Sequence, residues 1–407
     1  MKRQDWLRRL NYLGSAVGGA EQMVSLDPEE MISCARASTG LSDFGDDGWR
    51  EAYRILVASI SGDVALTTIG RLMSRGDILR ALRNRLFVID ALKRMPAVRD
   101  ERIVAPIFIV GQGRSGTTIL FELLDQDPGN RAPRGWEAAS PVPPPPQTLA
   151  DGVTREEIGQ CDNELWDDVQ PEMLAAHQHG WDLPVECIHF MAPDFSSDYW
   201  SALYVASGYL GWKFRANPTS AYDWHEKILQ LLQYGHDRRR WVLKSAAHTR
   251  CLEILLRHYP DARIIQTHRD PVKTIPSTVS ITGYLRYSRA NDVDLLELGR
   301  AISLSYQDML RKLLQQREDG TIPAGQIADI HFQDLMADPV ATIAGAYETL
   351  GCEFGDDFAE KIRAYLVAKP RGKFGTHRYA AEDYGLTDQK IREDFRFYTD
   401  HFGVALE

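Results

Sequence analysis

Residues Ile107-Phe-Ile-Val-Gly-Gln-Gly-Arg-Ser-Gly-Thr-Thr118 constrain what this chain can fold into more than any other stretch. Four consecutive apolar residues, rich in β-branched types, read as a buried strand. A glycine turn follows at once, and Ile119-Leu-Phe-Glu-Leu-Leu124 reads as the first turns of a helix. Strand, glycine-rich turn and helix N-terminus together form an oxyanion cradle. The glycines let backbone N–H groups approach the ligand, and the helix dipole favours negative charge. Gly111 and Gly116 stand five apart, as in a Walker A loop, but Thr117 occupies the Walker lysine position. The cation sits inside the turn, at Arg114. Such a loop is poorly equipped to reach a nucleotide's terminal phosphate. It can bind a single phosphate through its amides and through Ser115, Thr117 and Thr118.

A second half-motif lies about 150 residues on. Ala262-Arg-Ile-Ile-Gln-Thr267 reads as another buried strand and runs into His268-Arg-Asp-Pro271. Pro271 suits the first position of a new helix with Asp270 as its N-cap. Trp241-Val-Leu-Lys-Ser-Ala-Ala-His248 reads as a third strand, carrying Lys244 at its end.

These segments resemble sulfotransferases that use 3′-phosphoadenylyl sulfate (PAPS). That family writes its 5′-phosphosulfate loop as G-x-P-[KR]-[ST]-G-T-T, and Gly113 replaces the proline here. The resemblance covers about residues 104–395 and is greatest to the bacterial branch. It implies an α/β fold, a parallel β-sheet flanked by helices in the P-loop-like sulfotransferase arrangement. It implies PAPS as sulfuryl donor, 3′,5′-adenosine bisphosphate (PAP) as product, and no metal. By the same resemblance Gly113, Arg114, Ser115, Gly116, Thr117 and Thr118 hold the 5′-phosphosulfate. Arg269, with Ser277 eight residues later, holds the 3′-phosphate through a guanidinium fork and a hydroxyl. Arg371, Lys373 and Arg378, in Lys369-Pro-Arg-Gly-Lys-Phe-Gly-Thr-His-Arg378, resemble the basic loop that closes over that phosphate. Lys244 is placed to donate to the bridging oxygen as it leaves. Some members have a tryptophan after the G-T-T that stacks on adenine; here the residue is Ile119.

A general base must take the acceptor's proton. Glu137, in Arg134-Gly-Trp-Glu137, is the first candidate, since several family branches use a glutamate in this region. His248 is the second. It lies four residues after Lys244, whereas other branches place a histidine two after the lysine, where this chain has Ala246.

The 407-residue chain has 44% hydrophobic and 26% charged residues, as expected of an ordinary soluble protein. No apolar run approaches the ~20 residues of a membrane helix. Lys2, Arg3, Arg8 and Arg9 precede no continuous apolar core, which argues against a signal peptide. Five scattered cysteines suggest free thiols in a reducing cytoplasm. His177 and His179, with Glu186 and Cys187 nearby, are the one metal-like group, read as pocket or structural residues. A net charge of −10 argues against nucleic acid as a partner. Residues 151–200 carry twelve acidic residues and one basic residue, Arg155, which would repel a polyanionic acceptor.

Residues 1–98 read as an N-terminal helical region, either a layer packed on the catalytic domain or a homodimer arm or lid. Helix starts fall at Asp27-Pro28 and Asp46-Asp47, and Leu66 to Met95 forms a longer amphipathic pattern. Residues 99–407 read as the α/β domain, interrupted at about 136–235 by a helical insertion on the acceptor side. Seven of the nine tryptophans lie in or beside that insertion. Most suit core packing, but the enrichment also suits an apolar acceptor pocket. A stiff run, Pro141-Val-Pro-Pro-Pro-Pro146, precedes it. Beyond Lys244 strands and helices alternate: a helix over 294–317, a strand over 326–332 and a helix over 339–350. The expected reaction moves a sulfuryl group to a hydroxyl or amine of a small or lipid-like apolar acceptor. A P-loop kinase or ATPase, and a non-enzymatic nucleotide-binding protein, are the competing readings.

Overall fold

The computed structural model describes residues 3–142, 153–369 and 379–407. Five parallel strands form one sheet: β1 (Ile107–Gly111), β2 (Asn130–Arg131), β3 (Arg240–Lys244), β4 (Arg263–His268) and β5 (Ile327–His331). Their spatial order is β2-β3-β1-β4-β5. Ile107 pairs with Val242 on one side and with Arg263 on the other, so β1 is central. The chain first lays strands to one side of β1 and then crosses to the other. In open parallel sheets the crevice for ligands lies at such a switch point, beyond the carboxyl ends of the strands. The turns after β1, β3 and β4 all emerge there.

The strands read as continuous apolar runs because both faces are covered. Phe108, Val110, Leu243 and Ile264 pack with Val88, Trp224, Ile228 and Leu313. Ile107, Ile109, Val242 and Ile265 face the opposite way, onto Leu120, Phe121, Ile343 and Phe358. A further core joins the N-terminal helices to the insertion, with Trp49, Tyr53 and Leu56 against Phe195, Trp200 and Tyr209. Inside it Arg85 is fully buried. Its guanidinium donates to the carbonyls of Phe44 and Pro193 and lies over the ring of Trp224. Burial lowers its pKa to about 10, yet it stays charged.

Helix boundaries follow local chemistry. Asp27 caps Pro28–Thr39, Asp270 caps Pro271–Tyr287, and Asp294 caps Leu295–Glu318, each through its carboxylate. The Leu66–Met95 pattern becomes the helix Thr68–Arg94. The helix expected at Asp46-Asp47 begins at Trp49. Strand β2 is two residues long and left no sequence signal. No described helix is long and apolar enough to cross a membrane.

Candidate active site

Gly111 and Gly116 adopt positive φ, 126° and 91°. A Cβ on Gly111 would meet the carbonyl of Thr267 at 2.6 Å, and one on Gly116 would meet the ring of Phe332 at 2.8 Å. Only glycine lets the turn pass this close to β4 and to the helix Phe332–Ala337. Arg114 also has positive φ, 70°, a strained conformation for a residue with a Cβ. Gly113 is tight for another reason: a Cβ there would lie 2.8 Å from the hydroxyl of Tyr306. The Gly111 N–H donates to Thr249 Oγ1 at 2.9 Å, tying the base of the turn to the segment after β3.

The two half-motifs meet. Arg114 Nε donates to Ser277 Oγ at 3.1 Å, and Arg269 donates to the carbonyl of Arg114 at 3.2 Å. The Arg269 guanidinium lies over the Phe332 ring and forks onto both carboxylate oxygens of Glu407, at 2.8 and 3.0 Å. A guanidinium fork pairs in this two-point way with a carboxylate or with a phosphate. Ser115 is turned inward: its hydroxyl donates to the carbonyl of Gln112 and pairs with Thr267 Oγ1. Arg371, Lys373 and Arg378 lie outside the described residues.

A cavity of about 470 Å³ opens beside this loop. Gly113, Arg114, Thr117, Thr118 and Lys244 line one wall, with Tyr306 beside them. Trp166, Trp181, Leu183, Ile281 and Leu285 give it an apolar side. The helix Thr68–Arg94 contributes Asp77, Arg80 and Asn84, so the N-terminal helices form part of the wall. The acids there are neutralised: Asp77 pairs with Arg289 and Arg80, Asp162 with Arg80, and Glu122 with Lys369.

Lys244 reaches Glu186 across the cavity, Nζ to Oε1 at 2.5 Å. Burial alone would raise the Glu186 carboxyl, but the Lys244 ammonium outweighs it and holds the group below its usual range. Glu186 is therefore an anion at neutral pH. His177 also lines the cavity, and burial, then Lys244 and Arg114, drive it down to about 3.

The two bases expected from the sequence are placed elsewhere. Glu137 is buried and absent from the cavity lining. One of its oxygens takes Arg131 and the other accepts from the Arg134 N–H, closing a capping box on the helix Gly135–Ala139. His248 is fully buried beneath β3, pairs with the hydroxyl of Tyr222 at 2.8 Å, and is pushed down to about 4 by burial. Glu186, by contrast, lines the cavity, although the sequence marks it only as a neighbour of the His177/His179 group. Its position in the tryptophan-rich insertion was the usable signal. Tyr306 and Asn84 carried none, because only tertiary packing brings their helices to the loop.

Residues 106–356 match the model of the family described as the sulfotransferase family. The chain belongs to that family. Among curated relatives, this sulfotransferase is 25% identical over 302 residues to omega-hydroxy-beta-dihydromenaquinone-9 sulfotransferase Stf3 of Mycobacterium bovis, covering 71% of this chain and 74% of the relative. The Stf3 of Mycobacterium tuberculosis matches equally. Among solved structures, sulfotransferase STF1 of M. tuberculosis superposes with a TM-score of 0.78 at 28% identity, over 91% of this chain and 98% of that one. STF9 of Mycobacterium avium gives 0.79 at 27% identity, over 93% and 97%. The parallel sheet and the N-terminal helices are thus those of a bacterial sulfotransferase, as the loop motifs implied, and the kinase reading is displaced.

Proposed function

We propose that this sulfotransferase moves a sulfuryl group from PAPS to a hydroxyl on an apolar, lipid-like acceptor, with Glu186 as the general base. The observation that carries the reading is the Lys244–Glu186 pair, set between the Arg114/Thr117/Thr118 loop and the apolar wall of the cavity. An oxyanion already occupies the Arg269 fork in the form of the Glu407 carboxylate, which supports a phosphate binding there. The donor supplies an activated sulfuryl group, whose bond to the bridging oxygen breaks as the acceptor oxygen bonds to sulfur.

The chain's own residues position and neutralise. Backbone amides of the loop, with Thr117 and Thr118 at a helix N-terminus, hold the 5′-phosphate. Arg269 and Ser277 hold the 3′-phosphate, Ser277 being oriented by Arg114. Lys244 turns from Glu186 to the bridging oxygen and donates to it as negative charge develops. Glu186, released from its ammonium partner, accepts the proton of the acceptor hydroxyl. The aromatic and aliphatic wall receives the acceptor's apolar body and excludes water. The curated relatives are named for a hydroxylated menaquinone, which supports a lipid-like alcohol as the acceptor class.

Thermal denaturation tests the donor half. PAP without metal should raise the melting temperature, and Arg269→Ala should remove the shift. Stabilisation by ATP with magnesium alone would overturn it. Turnover of a hydroxylated prenyl quinone with PAPS tests the acceptor half. Sulfation of short polar alcohols with no preference for the lipid would sink that part.

A further inference from the structure

Beneath the active site, on the opposite side of β3 from the cavity's loop wall, three side chains with metal-ligating chemistry converge. They are Cys187, His225 and His248, all fully buried. Their ligand atoms lie within 4.8 Å of one another. The Nε2 atoms of both histidines have no hydrogen-bond partner, although each is sealed from solvent. Leaving two buried polar nitrogens unpaired is costly, and native cores seldom tolerate it without a ligand to receive them. The opposite nitrogen of each ring is held: His225 Nδ1 pairs with the hydroxyl of Tyr259 and His248 Nδ1 with that of Tyr222, both at 2.8 Å. Metal-bound histidines are oriented in this way, with the far N–H donated to an outer oxygen.

We propose that Cys187, His225 and His248 form a buried binding site for a soft or borderline transition ion, zinc in the first instance. One thiolate and two neutral imidazoles suit cuprous ion as they stand, suit zinc with a water as fourth ligand, and are poorly suited to magnesium or calcium. Binding breaks the Cys187 S–H bond and forms a metal–sulfur bond, and the proton leaves to solvent. Each imidazole ligates through Nε2 and keeps its proton on Nδ1, donating it to its tyrosine. Ligand bonds of about 2.0–2.3 Å require the three side chains to close by roughly an ångström. The site differs from the His177/His179/Glu186 group, whose members line the substrate cavity.

The three ligands come from separate parts of the chain. Cys187 precedes the helix Ile188–Met191, His225 lies in Thr219–Gln233, and His248 lies in the turn Ala246–Arg250 after β3. Cys187 also donates its N–H to the carbonyl of Lys244 at 3.0 Å, and Glu186 is its neighbour. An ion here would staple the insertion to the sheet directly below the Lys244–Glu186 pair. It would act as a structural ion and take no part in sulfuryl transfer.

The full chain, purified from zinc-supplemented cells, should carry zinc or copper in stoichiometric amount by mass spectrometry after gel filtration. Refolding in the presence of cobalt should give a thiolate-to-cobalt charge-transfer band, and Cys187→Ser should abolish it. Tyr259→Phe, which keeps the packing and removes one outer oxygen, should weaken zinc binding about 10–100-fold. If the wild type holds no ion and shows no cobalt–thiolate band after refolding, the site does not exist. Metal retained unchanged in a folded Cys187→Ser variant would equally overturn it. Should Cys187→Ser fail to fold, the wild-type cobalt spectrum and the Tyr259→Phe affinity decide the matter.

Discussion

Lys244 and Glu186 illustrate how much a single contact can organise. The ammonium keeps the carboxyl ionised, and the carboxylate keeps the ammonium aimed into the cavity. Glu186→Gln should lower kcat about 10²–10⁴-fold with little change in PAP affinity, by analogy with other lost general bases. An unchanged kcat would return the role of base to another group. Glu407 poses a second question at this scale, since its carboxylate occupies the Arg269 fork. A neutral amide grips a guanidinium less tightly, so Glu407→Gln should raise PAP affinity about tenfold, equivalent to ~1.4 kcal/mol. Titration calorimetry reads this directly; equal affinities would mean that the carboxylate does not compete. His177 makes a prediction about acid. Its folded pKa is lowered to about 3 by burial and by Lys244 and Arg114, with Glu186 partly offsetting them. The unfolded chain therefore takes up that proton first, near pH ~6.5. Its contribution is present above that pH and is lost as pH falls toward the folded value. The melting temperature of His177→Asn should fall less steeply than wild type between about pH 6.5 and 4.

The loop from Gly111 to Thr118 works as an element because its conformation is fixed from outside. Phe332 sits against Gly116, Thr267 against Gly111, and Tyr306 against Gly113. Gly116→Ala combines a left-handed backbone with a Cβ 2.8 Å from the Phe332 ring. It should destabilise the fold by about 1–3 kcal/mol and abolish stabilisation by PAP. Retained PAP binding would show that the turn has another accessible shape. At this scale much was readable in the sequence. The strand–turn–helix unit is continuous in the chain, and the caps at Asp27, Asp270 and Asp294 act within a few residues. Glu137, the glutamate expected as base, has a local structural role as well. Three residues after Arg134, it closes a capping box, and that competing local role removes it from the cavity.

In the whole molecule, the N-terminal helices and the insertion are held to the sheet by buried polar contacts as well as by apolar packing. Asp77 and Arg289 form an ion pair at 2.8 Å with side chains almost completely buried, and they join residues 212 apart in the chain. Removing one partner strands the other charge. Asp77→Ala should cost about 3–5 kcal/mol, and a paired apolar replacement, Asp77→Leu with Arg289→Met, considerably less. Urea denaturation of the two variants against wild type checks this; equal losses would mean that packing volume, not charge, sets the cost. Asp77 also lines the cavity, so the same contact ties global stability to the cavity's shape.

By itself the sequence determined the strand–turn–helix unit around Gly111–Thr118, the strand-to-helix junction at Arg269 and Asp270, and the parallel α/β class. Those features depend on backbone groups and side chains close together in the chain, where spacing is the geometry. Only the tertiary structure decided which side chains face one another. Glu186 meets Lys244 across 58 residues, Arg114 meets Ser277 across 163, and Cys187 meets His225 and His248 in a core that no spacing announces. A side chain's direction is set by the packing of both faces of its element, and that depends on every other element laid against it.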